Sequence, residues 1–193
     1  MKVLVFLAKG FETMEFSVFV DVMGWARNDY GCDITVDTCG FRKQVVSTFG
    51  IPVLVNKTID EICADDYDAL AIPGGFEDFG FYEEAYAPRL SELIRAFRAQ
   101  NKPIASICVA ALALAKSGIL TGKRATTYHL QGGGRQKQLA AFGVEVVNEP
   151  VVETDNIITS YCPQTAPDVA FRLLEKLAGS EMMHTVKAAM GYE

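Results

Sequence analysis

Three short apolar runs, each cut off by turn residues or a change of pattern and each followed by a helical stretch, narrow this chain to one fold class. Val3-Leu4-Val5-Phe6-Leu7 is apolar without a break, the pattern of a central strand covered on both faces. Tyr67-Asp68-Ala69-Leu70-Ala71-Ile72 is a second buried strand, ended abruptly by Pro73-Gly74-Gly75. Lys102-Pro103-Ile104-Ala105-Ser106-Ile107 is a third. Behind the first run, Met14, Val18, Val22 and Trp25 share a helical stripe, with Phe19 and Met23 beside it. Helical patterns also cover residues 88–98 and 109–116. Strands alternating with helices predict an α/β fold: a mainly parallel sheet with helices on both faces.

The remaining elements fit that frame. Residues 32–37 alternate as a strand with one drier face. Residues 45–46 and 51–55 form a small hairpin or edge excursion, because Pro52 is out of place in a central strand. A strand is expected over 123–128, and a helix over 136–142 after Gly132-Gly133-Gly134. Strands at 151–153 and 156–160 are joined by a turn at Thr154-Asp155. Thr165-Ala166-Pro167-Asp168 reads as a capping box opening a helix over 169–177, and a last helical piece covers 182–189. No linker or repeat divides the chain, so residues 1–193 are expected to form one domain with a full core.

Composition removes several function classes. Half the residues are apolar, 22% are charged and the net charge is −6. No Lys/Arg stripe favours a nucleic-acid partner. No run approaches the ~20 apolar residues of a membrane span, and the N-terminus lacks the long apolar region of a signal peptide. A cytoplasmic protein is expected. The five cysteines include no C-x-x-C pair, and there is no G-x-G-x-x-G, P-loop or metal-ligand spacing, so no cofactor is expected.

Ligands of such sheets bind outside the carboxyl ends of the strands. Four ends carry chemistry: residues 9–12, Pro73-Gly74-Gly75, Cys108, and Tyr128-His129. Cys108 stands on a sharp strand-to-helix turn, where free backbone N–H groups favour a thiolate or an oxyanion. Gly74 and Gly75 read as a turn needing positive φ. Alternation along a strand turns His129 away from the face of Tyr128, unless the strand bends at its end. Cys162 also leaves a strand end. It is either a plain loop thiol or a resolving thiol for Cys108, and a Cα separation beyond about 7 Å would forbid a bridge without backbone movement. The aromatic loop at residues 76–82 is a lid over the thiol, an interface patch or part of the core.

Ala8-Lys9-Gly10-Phe11-Glu12-Thr13-Met14-Glu15 and Asp21-Val22-Met23 resemble the opening of the ThiJ/PfpI superfamily, especially its DJ-one branch. Ile72-Pro73-Gly74-Gly75 and Ala105-Ser106-Ile107-Cys108 resemble its second and third signatures, and Thr126-Thr127 and Ile158-Thr159-Ser160 match weaker ones. The resemblance spans nearly the whole chain. It implies a flavodoxin-like three-layer sandwich, a homodimer, and Cys108 as nucleophile or oxidation site. It also implies that Glu15 reaches the sulfur and that the N–H groups of Gly75 and Val109 form an oxyanion cradle.

Relatives often carry a His directly after the two threonines or after the Cys, where this chain has Tyr128 and Val109. That departure weighs against a Cys–His dyad through His129, with Tyr128 as the alternative hydrogen-bond donor. For Glu15 to help the thiol it must be protonated, since a carboxylate beside a thiolate repels it. Members of the superfamily include small-aldehyde enzymes, deglycases, intracellular peptidases, chaperones and redox sensors. Two readings follow: a cysteine enzyme acting on small carbonyl or amide substrates, or a redox-responsive, chaperone-like homodimer.

Overall fold

The unbroken apolar runs become the middle of a seven-stranded sheet. The structure, a computed structural model, describes residues 1–192. Its strands are β1 (Lys2–Phe6), β2 (Thr35–Gly40), β3 (Gln44–Val46), β4 (Pro52–Leu54), β5 (Lys57–Thr58), β6 (Ala69–Ile72), β7 (Ile104–Ser106), β8 (Arg124–Ala125), β9 (Glu145–Val146), β10 (Val151–Thr154) and β11 (Ile157–Ser160). Its helices are α1 (Thr13–Tyr30), α2 (Phe81–Ala85), α3 (Pro88–Ala99), α4 (Ala111–Lys116), α5 (Gly134–Ala141), α6 (Ala166–Ala178) and α7 (Ser180–Ala189).

The main sheet runs β10-β11-β7-β6-β1-β2-β5, parallel throughout except for the antiparallel edge pair β10–β11. The order β2-β1-β6-β7-β11 is that of a flavodoxin-like doubly wound sheet, whose switch point lies between β1 and β6. Helices α1, α6 and α7 pack together on one face, and α3 and α4 cover the other. Both faces of β1 and β6 are therefore dry, which is why every residue of β6 is buried. Pro52 lies in the β3–β4 hairpin outside the main sheet, where its missing N–H costs no central ladder bond.

Three sequence expectations are corrected. The buried stripe of α1 is Glu15, Phe19, Val22, Met23 and Ala26, whereas Met14 is 58% exposed and Trp25 39%. The stripe is rotated because α1 packs against α6 and α7 as well as the sheet, and its first buried member is an acid. The strand expected over 123–128 is only Arg124–Ala125, paired with β9 in a separate small sheet. Beyond it the chain leaves the ladder, because the Thr126 N–H donates to Thr159 Oγ1 at 3.0 Å and the Thr127 hydroxyl donates to the Cys108 carbonyl at 2.9 Å. The Thr165 hydroxyl does not cap α6. It donates to the Cys162 carbonyl at 2.7 Å, while Pro167 occupies the first turn of α6, where no N–H is needed.

Candidate active site

The carboxyl ends of β1, β6, β7 and β11 meet at one cavity of about 690 Å³. Glu15, Gly75, Cys108, Val109, Tyr128, His129 and Cys162 all line it. That volume lies within the range of pockets for small molecules.

Cys108 sits on a tight elbow. Its φ is +57°, a left-handed conformation that a side chain adopts only when its surroundings enforce it. Those surroundings are visible on both sides. The Ile107 N–H donates to the Ile72 carbonyl at 3.2 Å, continuing the β6–β7 pairing up to the turn. The Thr127 hydroxyl holds the Cys108 carbonyl, and a single 3-10 turn, Cys108–Ala110, leads into α4. The Val109 N–H is directed to the sulfur.

Glu15 enters from α1. Its Oε2 accepts the Gly74 N–H at 2.6 Å, and its Oε1 is buried without a hydrogen-bond partner. Gly74 separates acid from thiol: a Cβ there would lie 2.8 Å from Glu15 Oε2, 2.8 Å from the Ile107 carbonyl oxygen and 3.1 Å from Cys108 Cβ. Gly75 is just as confined, since a Cβ would overlap the Gly10 carbonyl and lie 2.5 Å from Phe81 Cδ2. Neither glycine has positive φ, so close approach, not turn geometry, excludes a side chain here. The Glu12 N–H donates to the Gly74 carbonyl and the Phe76 N–H to the Gly10 carbonyl, which ties the loops after β1 and β6 together.

The electrostatics follow from burial. Glu15 is fully enclosed, and loss of solvent pushes its pKa up to about 8 against the opposing Gly74 hydrogen bond, with the Glu12 charge adding to the rise. It is therefore mainly a neutral acid near pH 7. Burial also pushes the Cys108 thiol up, and a Glu15 carboxylate pushes it further, while the Val109 N–H acts in the opposite sense. One proton on Glu15 removes the repulsion and leaves an acid facing the sulfur.

His129 does not pair with Cys108. Its Nδ1 lies 3.4 Å from Cys162 Sγ, and its ring stacks against Tyr161 with centroids 3.9 Å apart. The alternation argument is corrected as well: because the chain leaves the ladder at Thr126, Tyr128 and His129 both line the cavity. Cys162 is buried, and burial raises its thiol pKa. The loop at residues 76–82 divides in use. Phe81 is buried in the core, while Phe76, Glu77 and Asp78 border the cavity.

A family model described as DJ-1/PfpI family matches residues 1–176. The chain belongs to the DJ-1/PfpI family. Among DJ-1/PfpI relatives, it is 31% identical to Protein dj-1beta of Drosophila melanogaster, covering 95% of this chain and 92% of that one. It is 32% identical to Deglycase PfpI of Pyrococcus furiosus over 64% of this chain and 70% of that one. The crystal structure of Drosophila melanogaster DJ-1beta superposes with a TM-score of 0.87 at 29% identity, covering 100% of this chain and 98% of that one.

This DJ-1/PfpI cavity is also lined by a residue that the sequence pattern did not single out. Arg135, on α5, reaches the cavity, pairs with Glu77 at 2.7 Å and lies 5.0 Å over the Tyr82 ring. No local pattern signals that role, because its partners lie more than fifty residues away. Among the described residues, no three His, Cys, Asp or Glu side chains are grouped so as to hold a metal ion.

Proposed function

We propose that this DJ-1/PfpI protein is a cysteine-dependent enzyme for small carbonyl or amide compounds, of the glyoxalase, deglycase or amidase type, acting as one domain over residues 1–193. One observation carries the reading: a fully buried acid with a pKa near 8 lies against a thiol on a strained elbow that opens into a small-molecule cavity. The naming of a relative as a deglycase supports the substrate class.

The chemistry follows from that arrangement. The Cys108 thiol first loses its proton to solvent; the thiolate then attacks the carbonyl carbon, the C–S bond forms and the C=O π electrons move to oxygen. The N–H groups of Gly75 and Val109 hold the developing oxyanion. Glu15 supplies the proton that neutralises it, and as carboxylate it then accepts a proton from the adjacent carbon. An aldehyde is the better fit, since the imidazole of the cavity is engaged with Cys162 and not committed to protonating an amine leaving group. Turnover of methylglyoxal and of amide and peptide substrates, with Cys108→Ala as control, tests the reading. Equal turnover by that variant would overturn it.

The pairing of His129 with Cys162 favours a second reading, in which Cys108 is oxidised as a signal in a redox-responsive, chaperone-like homodimer. The exposed apolar residues of α1 and of the β3–β4 hairpin region, including Phe49 at 69% and Leu54 at 78%, support pairing with a second copy. Sedimentation of the purified chain tests this, and a monomer at micromolar concentration would overturn it.

A further inference from the structure

We propose that Cys162 and His129 form a resolving pair that captures oxidised Cys108 as an intramolecular disulfide, so that this cavity reduces hydroperoxides. The proposal rests on Cys108 being the reactive thiol of the reading above. It adds a second thiol, a base for it and a substrate class.

Three observations carry it. Cys162 is buried, yet it lines the same cavity as Cys108, which Cys32, Cys39 and Cys63 do not. Its sulfur lies 3.4 Å from His129 Nδ1, and Tyr161 stacks on the imidazole and orients it. A neutral imidazole at that distance can take the thiol proton. The two thiols also leave adjacent strands. Ser106 of β7 pairs with Thr159 of β11, and the cysteines follow two and three residues later. Neighbouring strands lie about 4.8 Å apart, and a disulfide needs a Cα separation of roughly 4.4–6.8 Å.

The chemistry balances in two steps. The Cys108 thiol loses its proton to solvent and the thiolate attacks the hydroperoxide; an S–O bond forms, the O–O bond breaks, and the leaving alkoxide takes the Glu15 proton. The sulfur loses two electrons and the peroxide gains them. The Cys162 thiolate, its proton now on His129, then attacks the Cys108 sulfenic sulfur. The S–S bond forms, the S–O bond breaks, and hydroxide leaves as water with the His129 proton. Two equivalents of a small thiol restore the dithiol.

The test treats the full chain with two equivalents of hydrogen peroxide, the amount that carries one thiol to sulfinic acid, and maps peptides by mass spectrometry without reductant. The wild type should give a Cys108–Cys162 linked peptide, and Cys162→Ser should give Cys108 sulfinic acid instead. His129→Asn should slow linkage about tenfold or more near pH 7, with the difference shrinking as pH rises and Cys162 ionises unaided. A merely structural role for His129 would not produce that pH profile. Cys108 sulfinic acid in the wild type at the rate of Cys162→Ser, with no linked peptide, overturns this proposal alone. A Cys108 that neither alkylates nor oxidises in Cys162→Ser overturns the catalytic reading with it.

Discussion

Two cysteines share one sheet edge and one cavity, but their neighbours differ. Cys108 is enclosed on a strained elbow and faces a buried acid; Cys162 sits on an extended turn and faces a half-buried imidazole. Burial raises both thiols, Cys108 far more. The difference lies in which proton each partner handles. Glu15, neutral near pH 7, can give a proton to an oxyanion formed at Cys108. His129, with its Nδ1 on the Cys162 sulfur, can take one from Cys162. On the proposed reading one sheet edge therefore carries two kinds of thiol, one set to attack carbon or oxygen and one set to attack sulfur.

The largest expected effect separates the two directly. Cys108→Ser should reduce turnover of a small aldehyde to the uncatalysed background, whereas Cys162→Ser should retain measurable turnover. Steady-state assays of both variants check this, and equal losses would erase the distinction. Next, the partners can be exchanged for neutral isosteres. Glu15→Gln should cost about a hundredfold or more in turnover, the scale of lost proton transfer. His129→Asn should cost much less in the same assay. Alkylation of Cys108 by iodoacetamide should persist in Glu15→Gln, because Gln carries no repelling charge. Retained turnover in Glu15→Gln would remove the acid from the mechanism.

A smaller effect concerns packing. Gly74→Ala places a methyl against the Ile107 carbonyl and Glu15 Oε2, each 2.8 Å away. Such overpacking costs about 1–3 kcal/mol, read from a shift in the denaturation midpoint. Gly134→Ala, where a Cβ meets nothing within 4 Å, is the control. Equal midpoints for the two variants would show that the elbow region relaxes freely and that Gly74 does not set the distance from acid to thiol.

The parallel sheet was legible because its central strands are buried on both faces and read as unbroken apolar runs. The elbow was legible because a strand ending in Cys108 meets a helical run at once. Glu15 resisted that approach: apolar periodicity points to Met14 and Val18, and the packing of α1 on α6 and α7 turns the acid inward instead. The direction of His129 was hidden for a related reason. Strand alternation holds only while the ladder holds, and the hydrogen bonds of Thr126 and Thr127 to residues more than fifteen positions away end it early. Long-range polar contacts, which carry no local period, decided the parts of the site that sequence pattern left open.

The last test is a pH dependence that checks the premise of the whole comparison, that Glu15 is neutral. Its pKa rises from an ordinary 4.5 to about 8 on folding. Between those values the folded chain holds a proton that the unfolded chain has released. Stability therefore falls as pH rises across that window, at up to about 1.4 kcal/mol per unit. The contribution is complete below pH 4.5 and gone above about pH 8. Glu12, also raised by burial, acts in the same direction, so the slope of the wild type alone is not diagnostic. The difference between wild type and Glu15→Gln isolates the residue, because Gln has no proton to lose. Urea denaturation at intervals from pH 5 to 8 should show the wild type losing stability relative to that variant. A flat difference would mean that Glu15 is ionised when folded; Cys108 would then face a negative charge, and the acid-backed thiol would be the less reactive of the two.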